Sequence, residues 1–433
     1  AMRRLFIGIS ACLLVTSTIH GNDWPQFRGP NGTGIVKQIE HPLKWSDQEN
    51  VAWKTEIEGG GLSAPIVVGD RVLITSVVGA ALPMNFAGGV SNMRPKLPTG
   101  PIKFRVACLN LKSGKQIWEK TLAEERPKHP IHSSNSFATA SPASDGNRFF
   151  VYFASIGRVF GLDMDGKQIW DKHVGSYPTG NGFGPGSSIT VGLGCVYVQC
   201  DNDKKSFLVA LNSTNGEEKW KNDRKGRTSW STPLLWRNKD RVELIVCGSG
   251  YVTSYDPKSG KTLWNLTGIS SAFSASPAAD DQRLFFGNSG PRSSGPLVAV
   301  DSKMSGDSEL DPGKSGGSVA WSKLRSGPGM SSPVVVDGCL YIPSRGVMTC
   351  YDCKSGEQIY KERLPLKSTA AAMWGGKGVV FLMDETGKCL AIQTGPEFKI
   401  LETSKINDQF WSSPSVAGKS LILRGKTTVY CIR

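Results

Sequence analysis

Apolar and polar residues alternate along this chain in short runs closed by Gly, Pro, Asp or Asn, and one punctuated frame keeps returning. From Ala210 to Trp220 the frame places a small residue first, Asn212 third, Gly216 seventh and Trp220 eleventh. It recurs as Cys108, Asn110, Gly114 and Trp118, as Ser254, Asp256, Gly260 and Trp264, and as Cys350, Asp352 and Gly356 with Tyr360 in the last place. One residue shorter, it recurs as Gly161, Asp163, Gly166 and Trp170, and an insertion stretches it between Ala299 and Trp321. Asp or Asn bonds to the backbone two residues on, and Gly supplies the positive φ of a tight turn between antiparallel strands.

A second signature, two small residues and a proline before a β-branched run, precedes most frames: Ser63-Ala64-Pro65, Ser231-Thr232-Pro233, Ala275-Ser276-Pro277, Ser331-Ser332-Pro333 and Ser412-Ser413-Pro414. Proline fits the first position of a strand, where no ladder donor is lost. Between the signatures lies an alternating strand such as Val196 to Val198. Each repeat therefore reads as four antiparallel strands, and the intervals between frames suit the roughly 40–50 residues of a propeller blade.

The pattern predicts an all-β, eight-bladed β-propeller. Its blade ends are Trp53, Trp118, Trp170, Trp220, Trp264, Trp321, Tyr360 and a degenerate end near Ile400-Leu401, with the aromatics expected to dock adjacent blades. The last blade, opened at Trp411, lacks an outer strand, which the stretch at 50–54, around Val51 to Lys54, can supply by pairing the two ends of the chain and removing the edges. Seven blades is the alternative if 369–401 is an insert. The expected organisation is a signal peptide at 1–21, an N-terminal extension at 22–49 and one propeller domain at 50–433.

Composition agrees: 50 Gly and 25 Pro spread through the chain suit many short strands. Arg3 and Arg4 followed by the apolar run Leu5 to Val15 read as a secretory signal too short to span a bilayer, which makes the protein exported, periplasmic or extracellular. Ile9-Ser10-Ala11-Cys12 resembles a lipoprotein box, with a lipid anchor on Cys12 as the alternative. Nine further cysteines, an odd number, leave disulfide pairing open, and Cys108, Cys350 and Cys431 read as small buried residues at one repeat position. The net charge of +14 is diffuse except for Lys219, Lys221, Arg224, Lys225 and Arg227 around Trp220 and Trp230, a solvated loop or a polyanion patch.

Residues 51–432 resemble the quinoprotein alcohol-dehydrogenase-like superfamily, and the opening Asn22-Asp23-Trp24-Pro25-Gln26-Phe27-Arg28-Gly29 resembles secreted bacterial propellers with pyrroloquinoline-quinone-like repeats. The resemblance spans dehydrogenases, the outer-membrane assembly protein BamB and members without known activity. The enzymes would imply an adjacent Cys-Cys disulfide, a calcium set and an aspartate base; no Cys-Cys pair occurs here. No G-x-S-x-G, H-E-x-x-H or P-loop motif occurs either. His129 and His132, three apart in a proline-containing loop, read as a solvated loop, so no metal site is expected.

Function on a propeller belongs to the loops at the channel mouth. Trp230, Trp411, Phe273 and Met330 precede inner strands, Phe137 lies slightly upstream, and His132, Asn135, Phe183, Asp201, Arg227 and Arg292 occupy neighbouring loops. These residues could hold a ligand by stacking and charge-assisted bonds, or plug the channel. The insertion 79–103 reads as a surface loop, with a lid or partner-binding arm as the alternative. The expectation is a monomeric binding or scaffold protein for a protein or other cell-envelope partner, without specific nucleic acid, cofactor or transmembrane segment. The alternatives are a quinone-dependent oxidoreductase using pyrroloquinoline quinone with calcium, and a BamB-like assembly factor.

Overall fold

The computed structural model describes residues 23–82, 95–269, 272–289, 294–311, 319–369 and 371–433. The expected signal peptide, Cys12 and Arg292 lie outside them, as does 83–94 of the insertion at 79–103. Eight antiparallel sheets form the eight-bladed propeller. Blades 1 to 7 occupy 66–125, 143–173, 190–224, 234–267, 278–323, 334–363 and 374–405. Residues 374–405 thus form a seventh blade, and the stretch is not an insert. Blade 8 joins three C-terminal strands, Ser415–Ala417, Ser420–Arg424 and Thr428–Ile432, to Val51–Glu56. Val51 pairs with Ile432 and Trp53 with Cys431, the expected closure of the ring.

The register explains the first position of the frame. Every small residue faces the terminal aromatic across the third and fourth strands: Cys108 opposite Trp118, Gly161 opposite Trp170, Ala210 opposite Trp220, Ser254 opposite Trp264, Cys350 opposite Tyr360. A Cβ on Gly161 would lie 2.3 Å from the Trp170 ring, so bulk is excluded there. In blade 7 the equivalent pair is Ala391 and Glu402, which places the degenerate blade end at Glu402.

The aromatic also reaches the next blade. Indole N–H groups of Trp53, Trp118, Trp170, Trp220 and Trp321 donate to the carbonyls of Leu111, Met164, Ser213, Pro257 and Cys353, at 2.9–3.2 Å. Those carbonyls belong to the Asp-x-x-x-Gly turns, whose glycines lie under the indoles; a Cβ on Gly114 would meet Trp53 at 2.6 Å. Gly therefore answers two demands at once, positive φ (69° at Gly114) and room for a ring. Trp264 departs from this pattern: its N–H donates to Glu243 at 2.7 Å, and Gly306–Glu309, from the insertion in the next blade, adds a parallel fifth strand beside it.

The small-small-Pro signature builds a ring of hydrogen bonds around the inner strands. Each backbone N–H donates to the hydroxyl of the next blade: Ala64 to Ser141, Ser141 to Ser188, Ser188 to Thr232, Thr232 to Ser276 and Ser276 to Ser332, all at 2.9–3.0 Å. Ala372 continues it to Ser413 at 2.9 Å. The two interruptions fall where Ala64 and Ala372 carry no hydroxyl to accept. At the second, the Met373 N–H reaches Ser332 O instead, at 3.1 Å.

Residues 23–38 enter the channel from the face of the first hairpins, and hydrogen bonds tie them to six blades. Trp24 exchanges backbone bonds with Val67, Ser144 N donates to Pro25 O, and Val191 N donates to the Gln26 carboxamide. Arg28 donates to Pro277 O at 2.6 Å, to Thr33 O at 2.8 Å and to Pro333 O. Gly34 and Val36 exchange bonds with Gly375. Trp24 and Arg28 are fully buried, and with no carboxylate among these partners burial pulls the guanidinium down to about 9. The chain then crosses blades 7 and 8, burying Trp45 and His41 against Phe381, before entering the ring at Val51.

Candidate functional site

The opposite face carries the loops that lead into the inner strands and the hairpins between second and third strands. Here the structure brings several of the expected residues together. His132 packs against Phe183 at a tilt of 36° with ring centroids 5.0 Å apart, and Phe183 meets Trp230 edge-on at 5.9 Å. Trp230 donates its indole N–H to Gly184 O at 2.8 Å and its backbone N–H to Phe273 O at 2.8 Å. Asn135 clamps the same loop from the other side, its amide donating to Phe183 O at 2.7 Å and Pro185 O at 3.1 Å. Lys96 and Ile131 pair as a short bridge, so the end of the long insertion joins this cap.

The residues differ in what they leave accessible. Phe273 is fully buried against Phe286, and Phe137 is buried with its carbonyl accepting from Ser155. His132 is buried, its Nδ1 bonded to Ser134 at 2.7 Å, and desolvation lowers its pKa. Trp230 and Trp411 are half-buried, whereas Met330 and Arg227 are exposed. Met330 and Trp411 precede inner strands of other blades than the cap residues.

Asp201 lies below the cap in a buried polar network. Its carboxylate accepts from Arg224 at 2.9 and 3.2 Å and from Gln199 at 2.8 Å, while Arg224 also donates to Tyr255 at 2.9 Å. Burial opposes the Arg224 charge, but Asp201 and the flanking tyrosines hold its pKa above the ordinary value. A buried pair this well bonded is fixed in place. Three of the acceptor sites of Asp201 are thereby committed to Arg224 and Gln199.

Arg28 and Arg424 were not among the residues expected to matter. Arg424 is buried between blades 8 and 1, donates to Ser63 O at 3.1 Å, and is pulled down to about 9 by burial. Only the close spacing of Arg28, Gly29 and Gly34 hinted at a special conformation: Arg28 itself has φ 62°. Lys204 and Lys205, which face Arg227 across a cleft, were also missed, since a hairpin brings them there from blade 3.

The fit to a calcium-bound quinone can be judged on donors. Calcium takes six to eight oxygen ligands, several from carboxylates. Among the described residues no three His, Cys, Asp or Glu side chains converge, and the one mouth carboxylate predicted, Asp201, is held by Arg224. The described cysteines are all free, and all but the half-buried Cys200 are buried.

Comparison with known proteins adds the family. The family model described as outer membrane protein assembly factor BamB matches residues 102–272 and 248–432. The chain belongs to this BamB-like family of PQQ-like repeat propellers. Similar curated proteins include BamB of Yersinia pestis, 23% identical over 59% of this chain, and a tetrathionate hydrolase of Acidithiobacillus ferrooxidans, 23% identical over 72%. The BamB-like chain spans 66% and 60% of their lengths, respectively. Among solved structures, BamB from Moraxella catarrhalis aligns with TM-score 0.59 over 88% of this chain and 98% of that one, at 12% identity. Quinohemoprotein alcohol dehydrogenase from Comamonas testosteroni aligns with TM-score 0.65 over 95% of this chain and 80% of that one, also at 12%. At such identities the structural likeness speaks for the fold alone.

Proposed function

We propose that this protein is an exported, non-catalytic scaffold of the cell envelope that binds a protein partner through its loop face, in the manner that the assembly-factor relatives suggest. The carrying observation is the cap. His132, Asn135, Phe183 and Trp230 come from three loops, and their bonds go to each other and to loop carbonyls. Such an arrangement fixes loop shape, and a fixed loop platform is what a binding surface needs. The indoles at the blade ends are then docking elements of the scaffold, silent about chemistry. Export and the N-terminal signal are part of the same reading.

The test is affinity purification of the full-length chain from its native envelope. A stoichiometric protein partner is expected, lost with Trp230→Ala while the chain itself stays folded. A parallel sample incubated with pyrroloquinoline quinone and calcium should retain no quinone after desalting. Stoichiometric quinone with dye-linked alcohol oxidation would overturn the scaffold reading.

A further inference from the structure

Beside the cap, two segments of blade 3 and the loop after it form a cleft of about 310 Å³. One wall is the hairpin Asp203 to Ser206, the other the strand end and loop Asp223 to Arg227. At about 30 Å³ per water the space holds about ten waters, more than an inorganic phosphate needs and enough for a phosphorylated or sulfated group on a larger molecule.

The charges are unbalanced and mostly uncommitted. Lys204, Lys205, Lys225 and Arg227 are exposed and line the cleft, and among the described residues none of them takes part in an ion pair. Against these four cations stand two carboxylates. Both are exposed, but one oxygen of Asp203 is already engaged, accepting the Thr228 hydroxyl at 2.8 Å and its N–H at 3.2 Å. The remaining lining charge, Arg224, is neutralised beneath by Asp201.

The walls are rigid where the cations are not. Asn202 fastens the hairpin, its Oδ1 accepting from Lys204 N and Lys205 N at 2.8 and 2.7 Å. The Ser206 hydroxyl sits between hairpin and loop, 2.9 Å from both Asn202 O and Gly226 O, and can donate its one proton to either. Thr228 receives the Gly180 N–H at 2.7 Å and so joins the cleft to the loop carrying Phe183. Flexible cations on fixed walls around a solvent-filled cleft suit an anion bearing more than one negative charge, since each added oxygen can meet another donor.

We propose that this cleft binds a phosphate- or sulfate-bearing group, with Lys204, Lys205, Lys225 and Arg227 as its donors. The proposal stands independently of the protein-partner reading. The shared chemistry is phosphate oxyanions held close together, either on one multiply charged ion in solution or on neighbouring singly charged lipid headgroups.

Two arms separate these sources: calorimetric titration of the full-length protein with pyrophosphate, and flotation with phosphatidylglycerol vesicles against phosphatidylcholine vesicles. The double variant K204E/K205E is compared with K112E/K115E, an equal charge reversal at exposed positions on the opposite face. Saturable one-to-one pyrophosphate binding supports a soluble source, and selective flotation with phosphatidylglycerol supports a headgroup. In either case K204E/K205E should weaken binding at least about tenfold, the loss expected when close charge partners are inverted, while K112E/K115E stays within about twofold. Equal losses in both variants would reduce the effect to diffuse charge and overturn the proposal. So would the absence of binding in both arms, or unchanged affinity in K204E/K205E with its circular dichroism intact.

Discussion

The two ends of the channel are closed by different physics. At the hairpin face a single continuous segment, 23–38, is anchored to six blades by backbone bonds, a buried indole and the guanidinium of Arg28. At the loop face separate loops lean on each other through His132, Phe183 and Trp230, leaving Met330, Arg227 and neighbouring lysines in water. The first closure is buried structure whose loss reaches the ring itself. The second is a shaped surface, which can change with little effect on the ring. On the proposed function, stability and recognition are assigned to opposite faces.

Substitutions can break that contrast. The largest effect should come from Trp24→Ala, which empties a fully buried site in the core shared by blades 1, 7 and 8. Loss of about 3–5 kcal/mol is expected, read from urea unfolding midpoints. A loss under about 1 kcal/mol would mean that the segment is an appendage and not part of the fold.

Next comes the pH dependence from His41. Its Nδ1–H bonds to Pro42 O at 2.8 Å, its Nε2 accepts weakly from the Trp374 indole at 3.4 Å, and burial lowers its pKa from 6.5 to about 4. The unfolded chain takes a proton below pH 6.5 and the folded chain only near 4. Stability from this group is therefore complete above pH 6.5 and declines as pH falls toward 4, by about 3 kcal/mol in all. Urea midpoints measured between pH 7 and 4 should show the decline, and His41→Gln should flatten it.

Trp230→Ala should cost only about 1–2 kcal/mol, because the ring is half-buried and contributes one edge-on pair and one hydrogen bond. The smallest effect belongs to the hydroxyl ring. Ser276→Ala removes the acceptor of Thr232 N and should cost about 1 kcal/mol. Thermal unfolding of both variants ranks them, and a Trp230→Ala cost rivalling Trp24→Ala would erase the contrast between the faces.

The blades were legible because their signals are local and repeated. Asn110, Asp256 and Asp352 accept from the turn backbone as their frame requires, and Pro65, Pro333 and Pro414 stand just before inner strands. Closure through Val51–Glu56 was legible because one strand was missing at one end and spare at the other. The plug was not legible, since its partners Val67, Ser144, Val191, Pro277, Pro333 and Gly375 are scattered through the chain. The cap was half legible. Loop position selected His132, Asn135, Phe183 and Trp230, but proximity alone cannot separate them from Met330, or from Asp201, which its pairing with Arg224 sets below the mouth.

The most direct test of the division between faces is photo-crosslinking in the native envelope, with a benzoylphenylalanine placed at Met330 or Arg227 on the loop face and at Lys112 or Lys258 on the hairpin face. A discrete protein adduct from the loop face and none from the hairpin face is the predicted result. Adducts from the hairpin face alone, or of equal yield from both, would contradict it.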